Sequence, residues 1–229
     1  MNFYIIVLSI CLFVSLFLIY TLSKEDFILL RKDISMDKLF NFIFLIFIVG
    51  LFSSRVIYAI IYSPRMFLNP LLFLLFPYFP GLSLIGGVLG GLAFFLFYSR
   101  SKNLPMGRIV DFFALGFLSS LPLGYLGYFL LSGGKNLFPI IIGLIYILLS
   151  FIFLKYFLEL LSKGVLKDGS LALIFLILFS LITLTQKIIE GFLKLAFIKQ
   201  PENYLILFLL IISVFIFIRN ERIIRVKRR

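Results

Sequence analysis

The sequence predicts an all-α polytopic membrane fold of seven transmembrane helices, and three observations carry that prediction. Seven apolar stretches, each long enough to cross a bilayer, fill nearly all of the 229 residues; a hydrocarbon core of ~30 Å takes roughly 20 apolar residues as helix. The hydrophobic fraction is 62% and the charged fraction only 14%, against about 25% charged residues in a soluble globular domain. The apolar runs are continuous rather than alternating, which excludes a lipid-facing β-barrel and leaves helices, which satisfy their own backbone polar groups in lipid.

The first span is expected over Phe3–Ser23. No positive residue precedes it and it is too long for a signal h-region, so it reads as a retained helix rather than a cleaved leader. It holds Cys11, the single cysteine, which cannot form an internal disulfide and reads as an inert buried thiol. Further spans are expected over Leu39–Tyr62, Leu82–Tyr98, Ile109–Leu131, Phe138–Leu161, Ser170–Leu193 and Tyr204–Ile218. Between the second and third lies the stretch 70–80, which is too short to cross and is broken by Pro70, Pro77 and Pro80. It reads as a re-entrant or interfacial segment. With no repeat or long linker, residues 1–229 read as a single transmembrane domain ending in a basic cytoplasmic tail over 219–229.

The basic residues set the expected orientation. With the N-terminus outside, the cytoplasmic connections and tail hold fifteen Lys and Arg residues, while the outer side holds four: Arg65, Lys135, Lys194 and Lys199. That bias favours N-out, C-in. It also gives the net charge of +12 a topological reading. The tail faces anionic lipid, and no nucleic-acid partner is expected. The chain has no histidine, which removes the commonest neutral-pH base and metal ligand. No cysteine or carboxylate cluster replaces it, so neither a metal nor a cofactor is expected.

Two charge sites away from the outer half read as structural. Lys155 and Glu159, four apart, read as a snorkelling pair. Asp111 reads as an anion at the N-terminus of its own helix.

In this topology the unusual residues gather in the outer half of the bilayer. Arg55 lies toward the outer end of the second span, followed on the same face by Tyr58 and Tyr62. Ser83, Gly86 and Gly87 open the third span; Gly124, Tyr125, Gly127 and Tyr128 close the fourth; Gln186, Lys187 and Glu190 close the sixth; Tyr4 begins the first. A charge in hydrocarbon costs about 2.5–3.5 kcal/mol on insertion scales and normally faces protein or water. Arg55 therefore needs a partner. One reading pairs it with Glu190 across helices; the other places it on the phosphate of a lipid head group in an outer-leaflet pocket. The run from Gly86 to Gly91 carries two overlapping G-x-x-x-G patterns, which permit close helix approach and leave a flat surface for a lipid chain or peptide.

In order along most of the chain, these residues resemble the prolipoprotein diacylglyceryl transferase family. Phe3-Tyr4 stands at the family's opening aromatic pair, and Ser54-Arg55-Val56-Ile57-Tyr58 is similar to its A-R-x-x-Y. Asn69-Pro70 precedes Gly81-Leu82-Ser83-Leu84-Ile85-Gly86-Gly87, which is similar to G-x-S-x-H-G-G. Gly124-Tyr125-Leu126-Gly127-Tyr128-Phe129 occupies the place of G-R-x-G-N-F, and Gln186-Lys187-Ile188-Ile189-Glu190 that of R-F-x-x-E. The family histidine thus falls on Ile85, the signature arginine on Tyr125, the asparagine on Tyr128 and a later arginine on Gln186.

The resemblance implies a multi-pass protein of the bacterial cytoplasmic membrane. Its chemistry would move diacylglyceryl from phosphatidylglycerol to a lipobox cysteine near the N-terminus of a lipoprotein precursor. The implied partners are therefore a phosphatidylglycerol-like lipid and a precursor signal peptide. It implies Glu190 as the catalytic carboxylate. Tyr4, Arg55, Tyr58, Ser83, Gly86, Gly87, Gly124, Tyr125, Gly127, Tyr128 and Lys187 form the implied lipid- and phosphate-binding set, with Lys187 or Lys194 standing in for missing arginines. The alternative is a non-catalytic relative that binds phospholipid head groups in the same pocket. A transporter ranks behind both, because the chain lacks the paired repeats such folds use.

Overall fold

The computed structural model describes residues 3–24, 26–32, 34–68, 81–134, 137–192 and 200–221, without the side chains of Tyr4, Phe67, Leu68 and Glu190–Phe192. The stretch 70–80, and with it the expected re-entrant segment, lies outside the described residues, as do Lys194 and most of the basic tail. Among the described residues the fold is all-helical, with seven helices long and apolar enough to cross a membrane.

The spanning helices are α1 (Phe3–Lys24), α3 (Met36–Tyr62), α4 (Leu84–Ser101), α5 (Met106–Leu131), the run from α6 (Phe138–Ile152) through a π-helical turn (Phe153–Phe157) to α7 (Leu158–Ser162), α8 (Ser170–Phe192) and α9 (Pro201–Glu221). A short α2 (Phe27–Arg31) joins the first two, capped by Asp26, whose carboxylate accepts from the amides of Ile28 at 3.0 Å and Leu29 at 3.1 Å. Each expected span has a helix, with ends that differ by a few residues: α3 begins at Met36, before its apolar run, and α4 at Leu84, inside the expected one. Ser35 caps α3 and Ser83 caps α4.

Helix α5 is central. It packs against α1, α6 and α8, and Leu115 and Leu118 on it are fully buried. Glycines set the closest approaches. A Cβ on Gly127 would lie 2.5 Å from Val7 of α1, one on Gly86 2.8 Å from Ile57 of α3, and one on Gly90 2.1 Å from Ser53. The G-x-x-x-G run is therefore packed helix to helix along α3, where dispersion rather than the hydrophobic effect holds segments together in lipid.

Polar contacts gather at the two ends of the bundle. At the end marked by Arg108, its guanidinium bonds Asp26 at 2.8 Å and Asp168 at 3.3 Å. Asp111, completely buried, accepts from the amides of Gly169 at 2.7 Å and Ala172 at 2.8 Å. This corrects the expectation that Asp111 serves its own helix. It lies beyond the first turn of α5 and instead satisfies the orphan N–H groups that open α8. A second correction concerns Glu159, which pairs with Lys163 at 2.5 Å, while Lys155 sits 5.6 Å from the ring centroids of Phe151 and Tyr156. Glu159 has a lysine four residues away on each side and takes the one that follows it, Lys163.

Replacing Asp111 with alanine leaves two buried amides of α8 unpaired and is expected to lower stability by about 1–3 kcal/mol. Denaturation in detergent checks this; an unchanged midpoint would contradict the capping role.

Candidate functional site

The opposite end of the bundle is organised by a carboxylate that does not stand out in the sequence. Pro201 opens α9 and Glu202 follows in its first turn, where proline is pre-organised and the helix dipole favours an anion. Glu202 is buried, at 7% exposure, among the ends of three other helices. Ser83 donates to its Oε1 at 2.6 Å, Tyr62 donates to its Oε2 at 2.6 Å, and the Lys187 ammonium lies 3.2 Å from the same Oε2. One carboxylate thus ties α3, α4, α8 and α9 together. The signal that could have found it is an acid directly after a helix-opening proline, beside an apolar span. That pattern ordinarily marks nothing beyond a dipole complement.

Ser83 is the second node. Its hydroxyl accepts from the Gly86 amide at 3.2 Å as the cap of α4, and its carbonyl accepts from the Ser54 hydroxyl at 2.7 Å. Its amide returns a bond to the Ser54 carbonyl at 3.2 Å. Next to Ser54, Arg55 is buried, and its Nη1 donates to the Gly81 carbonyl at 2.8 Å. The partner that Arg55 needs from outside its helix thus includes a backbone carbonyl, which fixes the chain just before α4. Gly81 is close-packed too: a Cβ there would lie 2.4 Å from the Tyr58 ring. Tyr58 in turn packs on Tyr62 at 5.2 Å between centroids.

The remaining expected site residues divide. Tyr125 donates to Gln186 at 3.2 Å and stacks on Tyr146 at 5.6 Å, which joins the end of α5 to the turn of α8 that carries Lys187. Gly124 faces open space, while Gly86 and Gly127 are spent on helix packing. Gly87 touches α3 and also lines the cavity beneath the cluster. Tyr128 is 60% exposed on the bundle exterior, and among the described residues no hydrogen bond ties its side chain to the cluster. Ile85 is buried in the core. Tyr4 and Glu190 sit in described helices, but their side chains lie outside the described set. Among the described residues, no three His, Cys, Asp or Glu side chains converge as metal ligands.

That cavity, of about 420 Å³, runs between α1, α3, α4, α5 and α8, lined from Ser54, Ser83 and Gly124 down to Ile19, Ile43 and Phe95. Ser83 to Phe95 along one helix corresponds to roughly 18 Å of depth. Its wall is hydrocarbon in effect. The hydroxyls of Ser15, Ser54, Ser83 and Ser120 are each donated to a protein acceptor, and the Cys11 thiol points to the Ser120 carbonyl at 3.6 Å. The arrangement is a long apolar slot whose Ser83 end adjoins the Glu202 cluster.

A sequence model of the prolipoprotein diacylglyceryl transferase family matches residues 1–133, more than half of the chain. The chain belongs to that family. Comparison with curated proteins returned no match, and neither did comparison with solved structures. The match runs through α1 to α5 and includes Arg55, Ser83 and Gly124–Tyr128; Gln186, Lys187 and Glu202 lie beyond it. A multi-pass membrane protein with a transferase-like, lipid-directed function follows from the family and the seven apolar helices together.

Ser83→Ala removes both a helix cap and a donor to a buried carboxylate, and should lower stability by about 1–3 kcal/mol. Ser119→Ala is the control. Its buried hydroxyl has no partner among the described residues, so its loss should leave the unfolding midpoint unchanged or raised. Equal effects of the two would contradict the role of Ser83 as a node.

Proposed function

We propose that this protein transfers the diacylglyceryl group of a phosphatidylglycerol-like lipid to a lipobox cysteine of a lipoprotein precursor. An acyl chain lies in the cavity and the phosphate at the Arg55 end, which faces the exterior leaflet of a bacterial cytoplasmic membrane. The observation that carries this is the cavity. An apolar cavity of about 420 Å³ left empty would forfeit the dispersion contacts its lining could make. Its wall offers water few partners, because the serine hydroxyl hydrogens are already donated within the protein. A hydrocarbon chain is the filling that fits, and the family supplies lipid as substrate.

In this reading the precursor thiolate attacks the glyceryl carbon that bears the phosphate. The C–S bond forms, the C–O bond breaks, and glycerol phosphate leaves with the electron pair. The thiol proton passes to a carboxylate, Glu190, since only the thiolate is a competent nucleophile. Arg55 and Lys187 supply positive charge toward the departing phosphate, with Tyr4, Tyr58 and Tyr125 around the head group. Ser83 holds the mouth in shape; Gly86, Gly87 and Gly127 act through packing, Gly124 leaves room for the lipid, and Tyr128 meets the surrounding bilayer.

A second reading, lipid binding without transfer, is favoured by two placements. Ile85 occupies the core where the family carries histidine, and Tyr125 is bonded to Gln186 where the family carries arginines. Losing one transition-state donor typically costs about 10²–10³ in rate.

Labelled phosphatidylglycerol and a lipobox peptide, incubated with the protein in liposomes, should yield a thioether-linked product, reduced at least about tenfold in Arg55→Ala. Retained lipid without product would support the second reading. Neither lipid nor product would contradict both.

A further inference from the structure

Lys187 and Glu202 both fall outside the region matched by the family, and their pairing comes from this structure. Lys187 leaves the last turns of α8 on a long flexible stem. In a bilayer such a side chain, left alone, swings its ammonium toward the interface. Here it is held. The two partners differ in burial: the Lys187 side chain is 24% exposed and that of Glu202 9%. The carboxylate is thus the more buried, fixed partner and the ammonium the more exposed one.

The fixing is over-determined. Oε1 is taken by Ser83, and Oε2 is shared by Tyr62 and Lys187, so the carboxylate cannot rotate without losing bonds to three helices. An ammonium carries three N–H donors. Among the described residues the bond to Glu202 uses one of them, and an ammonium has two more that an anionic oxygen can accept from. The mouth of the cavity is adjacent, because Ser83 lines it while bonding Glu202.

We propose that Glu202 is a positioning residue that holds the Lys187 ammonium at the mouth of the apolar cavity, where it selects a lipid with a net negative head group. The inference rests on the phospholipid reading and adds to it the source of head-group discrimination. A strut that merely joined helix ends would affect stability and the retention of every lipid alike. A positioned cation affects the ratio of anionic to zwitterionic lipid.

Native mass spectrometry of the full chain, offered phosphatidylglycerol and phosphatidylcholine of identical acyl chains, reads that ratio. The wild type should retain phosphatidylglycerol preferentially. Glu202→Gln and Lys187→Gln should each cut the preference about tenfold, the size of a charge-assisted contact. The double variant should fall no further than Lys187→Gln alone, as expected for residues acting as a unit. Should Glu202→Gln fail to fold, Tyr62→Phe, which deletes one anchor of the carboxylate from a side chain at the bundle surface, should weaken the preference in the same direction. A wild-type ratio in Glu202→Gln, or in Tyr62→Phe where that substitutes for it, overturns the inference while leaving the lipid reading standing. No preference in the wild type overturns selection by head-group charge. No bound lipid of either kind overturns the lipid reading itself.

Discussion

A carboxylate buried among helix ends is the constraint around which one end of this bundle is arranged. An unpaired buried charge is expensive, and the structure offsets that cost with two hydroxyls, an ammonium and the N-terminal dipole of α9 around Glu202. Because the donors come from three different helices, satisfying the charge also fixes how α3, α4 and α8 meet α9. The cap of α4, the Ser54–Ser83 exchange and the Arg55–Gly81 bond all lie within a few residues of that point.

The cavity is the counterpart of that polar end. Glycines let α3 and α4 touch along Gly86, Gly87 and Gly90, and let α1 touch α5 at Gly127. Between these close approaches the helices diverge and leave a slot whose serine hydroxyls turn to backbone or to Glu202. Tight contacts at the margins and an apolar gap between them are what a bundle needs to admit a lipid chain without losing its own packing. The polar contacts at the far end, where Asp111 caps α8 and Arg108 joins Asp26 to Asp168, hold the helices independently of whatever fills the slot.

The spans are legible in the sequence because bilayer thickness imposes a length and an apolarity that few other folds share. Their ends are less so, since Ser35, Ser83 and Pro201 set helix starts by local hydrogen bonding and backbone geometry rather than by hydropathy. Arg55, Ser83, Tyr58 and Lys187 stand out as polar groups at one depth. The structure joins Arg55 to the chain entering α4, and Lys187 to Ser83 through Glu202. Glu202 does not stand out, because its partners are distant in sequence, at 62, 83 and 187, and only the topology brings them together. The expected Lys155–Glu159 pair failed for a different reason: Lys163 also lies four residues from Glu159, and a count of four cannot choose between the two lysines.

A lipid chain in the slot beneath the Glu202 cluster is the occupant on which the functional reading turns. Photolabelling tests it most directly, with phosphatidylglycerol that carries a photoreactive group midway along its acyl chain and the protein in liposomes. Adducts are expected on cavity-lining residues such as Leu92, Phe117 and Phe175. Adducts confined to exterior residues such as Phe13 and Phe97, which are 70% and 73% exposed, would contradict it.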